Sequence, residues 1–92
     1  MRITPGCRLA AIYGVTEIAE EHFCNYEVNP AYDRDLENAG LRFSAFGEKG
    51  ELRAVELPDR RFFIATLYQP QLSSTEDRPH PVIVNFLLAA AA

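Results

Sequence analysis

Residues 61–74 read R-F-F-I-A-T-L-Y-Q-P-Q-L-S-S. From Phe62 to Tyr68 the run is almost wholly apolar and rich in aromatic and β-branched types. It is too short for an independent helix, and Pro70 closes it. The pattern predicts a strand covered on both faces at the centre of a sheet. Open α/β sheets place ligands beyond the carboxyl ends of such strands. Here that position holds Gln69, Pro70 and Gln71.

Working outward, 92 residues allow a single domain spanning 1–92. A chain of this size buries roughly 60–65% of its unfolded surface, so its core is modest. With 48% hydrophobic residues the composition argues against disorder. A net charge of −4 argues against a general nucleic-acid surface. No apolar run approaches the roughly 20 residues of a membrane span, and the amino terminus lacks the apolar core of a signal peptide. Cys7 and Cys24 are too few for a disulfide scaffold or a zinc site. A reduced, cytoplasmic protein without metal or cofactor is expected.

Upstream, Leu9, Ile12 and Tyr13 recur at helical spacing before Gly14, which predicts a short helix over 7–14. Residues 17–28 change to period two, predicting a long strand. Asn29-Pro30 is a helix start, and Tyr32, Leu36 and Ala39 form the expected inner stripe of a helix ending at Gly40. Two short strands, 41–46 and 52–57, are joined by Gly47-Glu48-Lys49-Gly50 in a predicted hairpin. Pro81 opens a last helix whose Ile83, Phe86, Leu87 and Ala90 are expected to lie against the sheet.

These residues resemble the C-terminal half of a class I glutamine amidotransferase domain of the CTP synthase type. The resemblance is carried by Met1-Arg2, Leu9, Ile12-Tyr13-Gly14, Glu20 and His22, Tyr26-Glu27-Val28-Asn29, and Leu36-Glu37 with Ala39-Gly40-Leu41. It continues through Phe62-Phe63-Ile64-Ala65-Thr66, Pro70, Ser74 and His80-Pro81. It implies an α/β fold, part of a flavodoxin-like layered sheet with a hairpin and a C-terminal helix. It also implies pyrimidine nucleotide metabolism and a Cys-His-Glu mechanism, in which a cysteine attacks the glutamine side-chain amide.

The same resemblance marks departures. The family's central strand ends in His-Pro-Glu, and the matching positions are Gln69, Pro70 and Gln71. An amide accepts no proton near neutral pH, so Gln69 cannot activate a thiol and Gln71 cannot stabilise an imidazolium. Losing such a base costs about four to six orders of magnitude in turnover. The family's Gly-x-Cys-x-Gly elbow has no counterpart: Cys7 lacks the second glycine, and Cys24 falls within the predicted strand. Before Tyr26-Glu27 the family carries an arginine that holds substrate, where this chain has Asn25.

The degenerate triad positions Gln69 and Gln71, with Asn25, Tyr26 and Glu27, are thus the ligand-binding candidates. Glu20, His22 and Cys24 share one predicted strand face, but alternate strand neighbours stand about 7 Å apart, too far for a direct hydrogen bond, so Cys24 is expected to be a small buried thiol. His80 is expected to cap or pack, and Ser73 and Ser74 to serve as loop and cap hydroxyls. The expected function is a module without glutaminase turnover, used in binding or regulation. The alternative is the C-terminal piece of a longer amidotransferase. A homo-oligomer is the expected assembly, with the missing N-terminal half or a synthase-type partner as the other occupants.

Overall fold

The structure, a computed structural model, describes residues 1–20 and 28–91. It is a mixed α/β fold: a four-stranded antiparallel sheet in the order β1-β2-β3-β4, with two helices against one face. The strands are β1 (Arg2–Ile3), β2 (Arg42–Phe46), β3 (Leu52–Glu56) and β4 (Ile64–Thr66). The helices are α1 (Arg8–Tyr13), α2 (Asp33–Asn38) and α3 (Pro81–Ala91).

The local signals act where they stand. Gly14 ends α1 with φ +75°, a conformation an L side chain resists, and its N–H returns to the Ala10 carbonyl. At the other end, Cys7 Sγ accepts from Ala10 N–H at 3.4 Å. A carboxylate from the sheet completes that start: Glu56 on β3 accepts from Arg8 N–H at 2.9 Å and from Leu9 N–H at 3.2 Å. Glu56 is buried, and these bonds to unpaired helix amides, with Arg42 3.8 Å away, compensate its charge. The β2–β3 hairpin turns through Gly47 and Gly50, the latter at φ +79°.

The core gathers Ile3, Cys7, Leu9, Ala45, Ala54, Tyr68 and Val82 between the sheet and the pair α1 and α3. Along β3, Leu52, Ala54 and Glu56 face inward while Arg53 and Val55 face away. In β2 the alternation breaks. Phe43 pairs with Val55 and Ala45 with Ala54, so two steps on β2 match one on β3, and this bulge turns both Ser44 and Ala45 inward. Ser44 Oγ is buried with no hydrogen-bond partner among the described residues.

Four expectations need correction. The apolar run 62–68 forms only a three-residue strand, and it lies at the sheet's edge. Only β3 pairs with it among the described residues, and Phe63 and Ala65 are left exposed. The helix after Asn29 begins where predicted, but as a 3-10 turn (Pro30–Tyr32) leading into α2. Of its inner stripe only Leu36 is partly covered, and Tyr32 and Ala39 are exposed. On α3 the expected sheet-facing Phe86 and Leu87 are exposed, and Val82 alone is buried. The predicted strand over 17–28 is present among described residues only as an isolated bridge from Glu17 to Arg2. Residues 21–27 lie outside the described part. The short β1 was not anticipated.

Candidate functional site

The strand β4 delivers the chain through Tyr68 into Gln69, Pro70 and Gln71, as expected. Gln69 is extended, with φ −113° and ψ 95°, and leads into a 3-10 turn (Pro70–Leu72). Gln69 is half-buried and Gln71 exposed. Neither side chain titrates, so this turn offers amide hydrogen bonds and no acid or base. Asn25, Tyr26 and Glu27 fall outside the described residues, as do His22 and Cys24.

What the structure does assemble beside this turn is a buried polar cluster. His80 Nε2 lies 2.5 Å from Glu20 Oε2, and each side chain is only 4% exposed. The Tyr13 hydroxyl donates to the same carboxylate oxygen. Ser73, two residues past Gln71, reaches Glu20 Oε1 at 3.3 Å. Glu20 therefore pairs with His80, 60 residues further along the chain.

The tautomer of His80 follows from its other nitrogen. Val82 N–H donates to Nδ1 at 3.1 Å, so Nδ1 holds a lone pair and Nε2 carries the proton. Its link to Glu20 is then a hydrogen bond from Nε2 to the carboxylate. The Tyr13 hydroxyl stands against both Glu20 and the Tyr68 hydroxyl, the latter 3.0 Å away and accepting from it. The Tyr13 ring also meets the His80 ring edge-on, with centroids 5.6 Å apart.

Burial pushes the Tyr68 hydroxyl up to about 12, and the nearby Glu20 charge adds to it. Burial, followed by hydrogen bonding to Glu20, raises Tyr13 further still. Both phenols stay protonated across the neutral range. The Ser74 hydroxyl accepts from His80 N–H at 3.0 Å, and His80 in turn caps α3, so the expected capping roles of His80 and Ser74 are what the structure contains.

A cleft of about 620 Å³ opens beside the cluster, with Glu20 and Tyr68 in its wall and Asp33, Phe46 and Arg53 among its lining. Neither Gln69 nor Gln71 lines it. Among the described residues no group of three or more His, Cys, Asp or Glu side chains could hold a metal ion. No described helix is long and apolar enough to cross a membrane.

Sequence reasoning missed the cluster as a unit. Glu20 and His80 are 60 residues apart, and no local spacing announces them. The available signal was that both stand among the words of the family resemblance.

Comparison with known proteins supports that resemblance. No protein-family model matches the chain. The CTP synthase of Gluconobacter oxydans is 46% identical over 90 residues, covering 97% of this chain and 17% of that protein. That of Caldivirga maquilingensis is also 46% identical, over 91 residues, with 98% and 17% covered. Among solved structures, the glutaminase domain of Trypanosoma brucei CTP synthase with bound acivicin superposes with a TM-score of 0.88 at 38% identity. That match covers 98% of this chain and 37% of the other. The chain is thus similar over nearly its whole length to part of the CTP synthase glutaminase domain, and it spans about a sixth of the full relatives.

Proposed function

We propose that this chain is a glutaminase-domain portion of the CTP synthase type that does not hydrolyse glutamine by itself and serves in binding or regulation within the cytoplasm. The observation that carries the reading is the pair Gln69 and Gln71, standing where the family resemblance implies histidine and glutamate. Proton transfer in amide hydrolysis needs a group that titrates near the working pH, and neither amide does.

The neighbouring Glu20–His80 pair supports the reading rather than rescuing activity. His80 spends Nδ1 on Val82 N–H and its Nε2 proton on Glu20, so neither nitrogen is left to accept a proton from a nucleophile. The test is ammonia release from glutamine by purified protein. The rate is expected to equal the uncatalysed control, and release above it would sink the reading. The Gln69→His and Gln71→Glu double variant is expected to stay inactive, since no described cysteine stands on a nucleophile elbow.

A second reading is favoured by one observation, the 17% coverage of the full relatives. On it, the chain is part of a longer CTP synthase-like amidotransferase in pyrimidine nucleotide synthesis, with the nucleophile elsewhere in sequence. The DNA upstream of the Met1 codon separates the two. A continuous reading frame encoding an elbow cysteine selects the second; an adjacent stop codon with a ribosome site selects the first.

A further inference from the structure

We infer that Ser73 is a phosphorylation site for an acidophilic protein kinase, and that the phosphoryl group releases the 3-10 turn Pro70–Leu72 from the buried Glu20 cluster. The inference uses this chain's own loop and stands whether or not the chain turns over glutamine. Of the seven serine and threonine residues, only Ser73 and Ser74 have an acid three positions on, Glu76 and Asp77. Ser73 is exposed, whereas Ser74 is half-buried and its hydroxyl accepts from His80 N–H at 3.0 Å. Residues 73–80 form neither helix nor strand, and 75–79 are all exposed. A kinase cleft takes its substrate as irregular chain, and a basic cleft gains from carboxylates just past the hydroxyl. Glu76 and Asp77 stand in that place.

What sets Ser73 apart is the far end of its hydrogen bond. Its hydroxyl lies at the surface yet donates to Glu20 Oε1 at 3.3 Å, and the Glu20 side chain is only 4% exposed. The same hydroxyl stands 3.5 Å from the Pro70 carbonyl. On its other oxygen Glu20 accepts from Tyr13 and from His80. Of these three donors on one buried carboxylate, Ser73 alone is exposed. A change made at the surface is thereby felt at a buried charge.

In the transfer, Ser73 Oγ attacks the γ-phosphorus of a magnesium-bound nucleoside triphosphate. The Oγ–P bond forms as the bond from that phosphorus to the β–γ bridging oxygen breaks. The nucleoside diphosphate leaves with the electron pair, and the hydroxyl proton passes to a base of the kinase. The product keeps no hydroxyl proton for Glu20 and carries a charge of about −1.5 to −2 at pH 7. A donor to the carboxylate becomes an anion against it, in a site where water screens little. The turn, closed by Leu72 N–H on the Gln69 carbonyl and Ser73 N–H on the Pro70 carbonyl, then loses its side-chain tie to α1 and α3.

The experiment incubates the folded chain with casein kinase 2, an acidophilic kinase, and magnesium ATP, and locates the added group by fragment mass spectrometry. One phosphoryl group is expected, on Ser73, and none in Ser73→Ala. The Glu76→Gln/Asp77→Asn variant should be labelled at least about tenfold more slowly, since the charges that dock it are gone. The phosphorylated chain should lose about 4 °C or more in Tm, and its Leu72 and Ser73 amides should exchange at least about tenfold faster. Charge is separated from bulk by two near-isosteric variants: Ser73→Asp should lower Tm by at least about 2 °C more than Ser73→Asn. No transfer to the folded chain overturns the inference, as does labelling of the urea-unfolded chain alone or labelling at Ser74 or Thr75 in place of Ser73. A phosphorylated Ser73 with unchanged Tm and exchange overturns the release, and so does an equal Tm for the Asp and Asn variants.

Discussion

Two regions only a few residues apart treat polar chemistry in opposite ways. The buried cluster of Tyr13, Glu20, Tyr68 and His80 contains ionisable groups, and every one is engaged. The turn Gln69–Pro70–Gln71, which continues directly from Tyr68, offers only amides. The difference teaches that titratable groups stand here where they hold elements together, while the neighbouring turn carries none. Glu20 joins α1, the segment after β4 and the start of α3 through Tyr13, Ser73 and His80. Buried carboxylates survive only with such donors.

The contrast breaks most visibly at His80. Replacing His80 with Ala strips Glu20 of one donor and Val82 N–H of its acceptor. It should cost about 3 kcal/mol or more, read as a shift in urea midpoint. A double-mutant cycle with Glu20→Ala should give a coupling energy above about 1 kcal/mol; additivity would mean that the pair is not a unit. The next test is alkaline pH. Tyr68 holds its proton to about 12 in the fold, against about 10 when unfolded. Above pH 10 the unfolded chain therefore binds fewer protons than the folded one, and stability must fall with rising pH. The contribution is complete below pH 10, is lost between 10 and 12, and amounts to about 2 kcal/mol. In Tyr68→Phe the steepness over that window should diminish; an unchanged profile would refute the assignment. The smallest effect belongs to the other region. Gln71→Ala at an exposed turn should change stability by no more than about 0.5 kcal/mol. A loss near that of His80→Ala would show that the glutamine turn is structural after all.

How much of this was legible in the sequence depended on distance along the chain. Signals that act within a few residues were read correctly: Gly14 as a stop, Asn29-Pro30 as a start, the two-glycine hairpin, and Pro81 opening α3. The type of fold was legible because the resembling words run nearly end to end. Apolar periodicity was also read correctly as a demand for cover, but the sequence reading assumed that this chain supplies the cover. Phe62 to Tyr68, Tyr32 and Phe86 show that it does so only in part. The site was half legible. That Gln69 and Gln71 follow a strand was legible from the apolar run before them, whereas the Glu20–His80 pairing depends on tertiary closure that no spacing encodes.

The reach of Glu56 into the start of α1 bears on the order in which the molecule assembles. A six-residue helix cannot persist alone in water, because its nucleation cost exceeds what so few hydrogen bonds return. The carboxylate that receives its first amides lies 48 residues further along, so closing that loop costs entropy which local contacts do not offset. The β2–β3 hairpin, joined by a short loop, can pair early, and α1 forms by settling onto it. Ala11→Gly, costing about 1 kcal/mol at an exposed helical position, should then accelerate unfolding and leave the refolding rate nearly unchanged in stopped-flow traces. The amino-terminal helix is thus a late arrival, recruited by a strand that must be in place before it.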